Sequence, residues 1–127
     1  MATKVLARGA AYSFELDRGE RITFEALILD ENAAAVDLTG HTVELIINDT
    51  NPGGSEIQKT TNTTHSDAVN GKTQFTITTA TTLTANASTG AMWFFGIHWK
   101  DDSAPAREDI HSYGTIRVNA VPAGTIA

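Results

Sequence analysis

The sequence predicts an all-β domain, a single antiparallel β-sandwich of about seven strands. Three observations carry this prediction. Apolar residues recur at every second position wherever they cluster, which is the period of a strand with one buried face. Turn-forming residues interrupt these runs at short intervals. No stretch carries the broad apolar stripe of an amphipathic helix. A chain of 127 residues with 41% hydrophobic side chains suits one domain with one core.

Residues 1–11 read as an N-terminal arm, 12–120 as the sandwich and 121–127 as a C-terminal tail. Tyr12, Phe14 and Leu16 alternate with Ser13 and Glu15, and Asp17-Arg-Gly19 turns the chain. Across residues 20–30, Ile22, Phe24, Ala26 and Ile28 share one face, with Arg21, Thr23 and Glu25 on the other. Leu27 and Leu29 interrupt that polar face, which predicts a bulge or a local cover. Residues 31–40 are small or polar and end in Gly40, so they form a connection. Val43, Leu45 and Ile47 define the next strand, which Asn48-Asp-Thr-Asn-Pro-Gly-Gly-Ser55 stops. Residues 56–61 offer Ile57 as their sole large apolar side chain, which places them at a sheet edge.

Asp67-Ala-Val-Asn-Gly71 is the strongest turn signal, because Asn-Gly accepts the positive φ of tight turns. Phe75 and Ile77 then face inward, and residues 81–85 suit one short helical turn. Residues 91–100 form the most apolar strand, and residues 109–120 close the fold with Ile110, Ile116 and Val118 inward.

The formal charge is −6, from 15 acidic and 9 basic side chains, and the basic ones are scattered singly. Nucleic acid is therefore not an expected partner, since phosphate recognition needs a basic stripe. No apolar run approaches the roughly 18 residues of a membrane span, so no membrane partner is expected. Lys4 and Arg8 are not followed by the apolar stretch of a secretory leader. Without cysteine there is neither a disulfide nor a thiol nucleophile.

Catalytic patterns are not found in the sequence. There is no glycine-rich phosphate loop opening a helix, no Gly-x-Ser-x-Gly elbow, and no set of nucleophile, base and oxyanion donors. No catalytic residue, cofactor or small-molecule substrate is expected. His98 and His111 fall on the last two strands, and Asp109 would complete a conceivable metal site. Their spacing matches no ligand motif, so surface or capping roles are expected and no metal. The pairs Asp30-Glu31, Asp101-Asp102 and Glu108-Asp109 border loops and lack calcium-loop spacing, which fits solvated charge.

The strand Ala91-Met-Trp-Phe-Phe-Gly-Ile-His-Trp-Lys100 is the most informative feature. Trp93, Phe95, Ile97 and Trp99 supply one face for the core, while Met92 and Phe94 make the other face apolar up to His98. Two readings stand side by side. Either Val5 and Leu6 of the arm cover this second face, or it contacts another subunit. The candidate interface residues are therefore Val5, Leu6, Met92, Phe94 and His98. A third reading makes Trp93, Trp99 and Tyr113 a platform for carbohydrate.

Several segments, taken in order, resemble the immunoglobulin-like module at the N-terminus of baseplate upper proteins and related tail and fibre proteins of tailed phages. The segments are Arg18-Gly-Glu-Arg-Ile-Thr-Phe24, Val36-Asp-Leu-Thr-Gly40, Asn70-Gly-Lys-Thr-Gln-Phe-Thr-Ile77 with the Thr-rich turn to Leu83, and Gly114-Thr-Ile-Arg-Val118. The resemblance spans residues 16–120. The arm before Leu16 is longer than the family's, and the short stretch after Ala120 is expected of the module alone. The resemblance implies an immunoglobulin-like sandwich and a non-enzymatic virion component acting through protein–protein contacts. A tail, baseplate or neck adaptor and a capsid decoration or head-fibre protein all fit, assembled in the bacterial host cytoplasm. Its partners would be other virion proteins, including copies of itself. In such a sandwich, residues 30–40, 64–71 and 100–108 would gather at one end as a second contact region. The alternative is a carbohydrate-binding or host-surface adhesion module.

Overall fold

Each run with period-two patterning forms a strand in the computed structural model, which describes residues 5–6, 11–30, 32–49, 55–86, 88–101 and 107–120. The strands are β1 (Val5–Leu6), β2 (Ala11–Asp17), β3 (Ile22–Leu27), β4 (Thr42–Asn48), β5 (Glu56–Asn62), β6 (Lys72–Ile77), β7 (Ala91–Asp101) and β8 (Arg107–Asn119). A single short helix, α1 (Thr79–Thr82), lies within the Thr-rich stretch. A 3₁₀ turn at Ala68–Asn70 precedes Gly71, whose φ of +76° is the left-handed value that Asn-Gly predicts.

A three-stranded sheet, in the order β1-β3-β6, packs on a five-stranded sheet in the order β2-β8-β7-β4-β5. The all-β sandwich is thus the fold. The antiparallel expectation needs one correction: β1 runs parallel to β3, and β2 runs parallel to β8. Alternation reports which face a residue occupies and carries no information on strand direction. Both parallel pairs join strands distant in the chain, where no tight turn constrains direction.

The core is one cluster drawn from both sheets. Phe14 of β2 sits 4.9 Å from the ring of Phe24 on β3 and 5.5 Å from Phe95 on β7, and so ties the two sheets together. Ile22, expected inside, is only partly buried against this cluster. Ile57 is likewise partly buried, beside the register shift between Ile47 and Asn48. The side chain of Ile110 lies outside the described residues. Leu29, which breaks the polar face of its strand, is half-buried, and its backbone pairs with Ala35 of the following connection.

The turn residues at 18–20 and 36–40 do structural work. Arg18 donates from Nε to the Ala85 carbonyl (2.9 Å) and from Nη2 to that of Leu83 (3.1 Å), satisfying carbonyls just past α1. The buried Thr82 hydroxyl accepts from the Gly19 N–H at 3.0 Å and donates to the Glu20 carbonyl at 2.8 Å. In Val36-Asp-Leu-Thr-Gly40, the Asp37 carboxylate accepts from the Thr39 N–H and hydroxyl at 3.0 and 2.7 Å. That local turn drives Leu38 into the core, where it is fully buried and donates its N–H to the Ala68 carbonyl at 2.8 Å.

The edge strand β5 shows why its pattern is weak. Its inward positions are the polar Gln58, Thr60 and Asn62, opposite Ile47, Leu45 and Val43. Gln58 Nε2 donates to the Thr76 carbonyl (2.9 Å), and Asn62 Nδ2 to that of Gln74 (2.7 Å). Side-chain amides therefore seal the edge of β6 across the seam between the sheets, which guards it against adding a foreign strand.

Candidate functional site: the outer face of the five-stranded sheet

The register places Met92, Phe94, Gly96 and His98 on the outer face of β7, flanked by Arg117, Thr115 and Tyr113 of β8 and by Asn48, Ile46 and Glu44 of β4. Met92 is 45% exposed and Tyr113 53%, and Phe94 and Ile46 are half-buried. Met92 and Phe94 follow one another along β7, while Tyr113 and Ile46 flank Gly96 in the next row. The four side chains form one apolar patch. Gly96 is its floor: a Cβ there would lie 3.1 Å from Nε2 of His98, so the imidazole leans across the glycine. The β3–β6 pairs on the corresponding face of the three-stranded sheet are mostly polar, with Thr23 opposite Thr76 and Glu25 opposite Gln74, and Leu27 opposite Lys72 interrupting them.

The five candidate residues do not all meet. Met92, Phe94 and His98 share this face. Val5 and Leu6 pair with Glu25 and Ala26 in the other sheet, so the arm strand β1 is not the cover of the Met92 and Phe94 face. Tyr113 and Ile46 were hidden in the sequence. Tyr113 follows residues with no clean alternation, and Ile46 sits within the unbroken apolar run Leu45-Ile46-Ile47.

The carbohydrate platform is corrected outright. Trp93 and Trp99 are core residues, 4% and 6% exposed, and of the three proposed aromatics Tyr113 alone reaches the surface. Among the described residues no group of three His, Asp or Glu side chains gathers as metal ligands. The side chains of Asp109 and His111 lie outside those residues. Two of the three loops expected at one end meet there, while residues 102–106 of the third lie outside the described residues. Val36 N–H donates to the Ile28 carbonyl, Ile28 N–H to that of Gly71, and Leu38 N–H to that of Ala68. Residues 28–38 and 68–71 are thereby laced together.

Beside the apolar patch, Glu44 is 4% exposed although it points outward. Lys100 Nζ stands 2.6 Å from its Oε1, Lys59 Nζ 3.5 Å from its Oε2, and the Thr61 hydroxyl donates to Oε2 at 2.8 Å. The hydrogen bond from Lys100 chiefly holds its pKa down, aided by Thr61 and the two positive charges and opposed by desolvation, moving it from 4.5 to about 2. A depressed carboxylate pKa means stability that is whole above about pH 4.5 and lost as pH falls toward 2. The loss attributable to Glu44 is roughly 2–3 kcal/mol, allowing for solvent around the lysines. Urea titrations of the wild type and Glu44→Gln across that window should show the variant less stable at neutral pH and the gap closing at low pH.

No protein-family profile matches the chain. No curated protein matches it either. Among solved structures, the chain is similar to the N-terminal domain of phage TP901-1 ORF48, with 12% sequence identity over 92% of this chain and 96% of that one and a TM-score of 0.49.

Proposed function

We propose that this protein is a structural component of a phage virion, attached to other virion proteins through the outer face of its five-stranded sheet. The observation that carries the reading is the contrast between the two sheet faces. An apolar patch of Met92, Phe94, Ile46 and Tyr113 stands on one, and Thr, Glu, Gln and Lys side chains with the single large apolar Leu27 make up the β3–β6 pairs of the other. Met, Tyr and Arg in and around an apolar centre are what a protein interface favours. The virion setting is supported by the resemblance of the Arg18–Phe24 and Val36–Gly40 segments to phage modules. The protein acts by binding alone, without a cofactor or a reaction. That resemblance fits a tail, baseplate or neck adaptor and a capsid decoration or head-fibre protein alike.

The test is Phe94→Asp in a phage that makes the protein. The side chain is only half-buried on the outer face, so the purified variant should melt within a few degrees of the wild type. Its content in purified particles should fall at least about tenfold, since a charge buried against a partner costs more than about 1.4 kcal/mol. Full incorporation of a folded variant would overturn the reading.

A further inference from the structure

At the end of the sandwich where the loops meet, His41 joins three segments. Its N–H donates to the Leu38 carbonyl at 2.9 Å. Its carbonyl lies 2.9 Å from Nε2 of His65, on the β5–β6 connection. Its ring Nδ1 lies 3.0 Å from Nε1 of Trp99 on β7, and the planes of the two rings are inclined by 26°. The indole N–H is a donor only, so the Nδ1 of His41 must present a lone pair to it. His41 therefore holds Trp99 as a neutral imidazole with its proton on Nε2. A protonated ring would set N–H against N–H and break the bond.

His65 is differently placed. Its Nε2 meets the His41 carbonyl and its Nδ1 the Thr73 hydroxyl, 2.9 Å away, and both contacts survive with a proton on each nitrogen. Asp37 is a charged neighbour whose carboxylate interacts electrostatically with His41. On β8 the register sets Asp109 opposite Trp99. Neutral His41 thus accepts from Trp99, and cationic His41 has no lone pair on Nδ1 to offer it.

We infer that His41 is an acid-sensitive latch, which ties the loop at residues 28–41 to Trp99 while neutral and releases the indole when protonated. Neither arm of this exchange depends on the docking face, and Trp99 and His41 lie at the loop end rather than on the apolar patch. The inference stands or falls independently of the proposed function.

The test follows the indole N–H resonances of the ¹⁵N-labelled full-length protein from about pH 8 to about pH 5, the span in which histidine side chains change charge. The Trp99 resonance should move upfield in one step while that of Trp93 stays in place. In His41→Asn, whose side-chain carbonyl accepts a hydrogen bond but does not titrate, the step should vanish; in His65→Gln it should remain. A static Trp99 resonance in the wild type, a step that persists in His41→Asn, or one abolished by His65→Gln alone would each overturn the latch. Should His41→Asn fail to fold, the imidazole ¹⁵N shifts of wild-type His41 decide the matter. They must report a protonated Nε2 and a bare Nδ1 at high pH, and any other tautomer contradicts the inference.

Discussion

Gly114→Ala should unfold the domain or strip β2 from it. The Cβ would stand 1.8 Å from the Tyr12 carbonyl oxygen, 2.7 Å from its carbon and 2.9 Å from Cε1 of Phe95. The first two are backbone atoms of the parallel β2–β8 pair, in which Tyr12 lies opposite Gly114. No rotamer change relieves the clash. Relief requires β2 to move off β8, and with it Phe14 and Leu16, which are 5% and 2% exposed. Losing core contacts of that kind costs about 2–5 kcal/mol per side chain, comparable to the whole stability of a domain. Gly96→Ala is the matched control. Its Cβ meets the tip of His98 at 3.1 Å, and that side chain can swing aside. Urea unfolding should therefore show Gly96→Ala within about 1 kcal/mol of the wild type and Gly114→Ala without a cooperative native baseline.

Leu38→Ala should cost about 2–5 kcal/mol, seen as a fall in Tm of roughly 10 °C or more. Leu38 is fully buried, and its backbone is pinned to Ala68, so the loop cannot slide inward to fill the cavity. Asp37→Ala should have a much smaller effect, because the carboxylate organises a solvent-exposed turn. The comparison separates two roles within Val36-Asp-Leu-Thr-Gly40. The turn residues aim the leucine, and the leucine supplies the energy. Near-wild-type stability in Leu38→Ala would contradict this division.

Strand positions were legible because alternation survives in the residues themselves, as in Ile22, Phe24 and Ala26 or Trp93, Phe95 and Ile97. What escaped depended on contacts remote in the chain. Leu38 is an apolar residue flanked by polar ones, and its backbone is fixed by the Ala68 carbonyl, about thirty residues away. Gln58 and Asn62 read as surface residues until β6 brings the carbonyls of Thr76 and Gln74 to them. Glu44 occupies an outward position, and its burial arises from Lys59 and Lys100 on the two flanking strands. The proposed docking face was half legible. Met92 and Phe94 betray it by being apolar on the wrong side of a core strand, whereas Tyr113 and Ile46 join it only through the β8-β7-β4 register. Trp93 and Trp99 satisfied both a core and a sugar-binding pattern, and only the packing distinguishes the two.

Hydroxyl-radical footprinting of the protein, isolated and within purified phage particles, tests the central claim most directly. Met92 and Tyr113 are solvent-exposed on the proposed docking face, and Val69, 67% exposed, marks the loop end. Met92 and Tyr113 should oxidise readily in the isolated protein and be strongly protected in the particle, with Val69 little changed. A protein missing from the particles, or one whose Met92 and Tyr113 react there as fast as in isolation, would contradict the account.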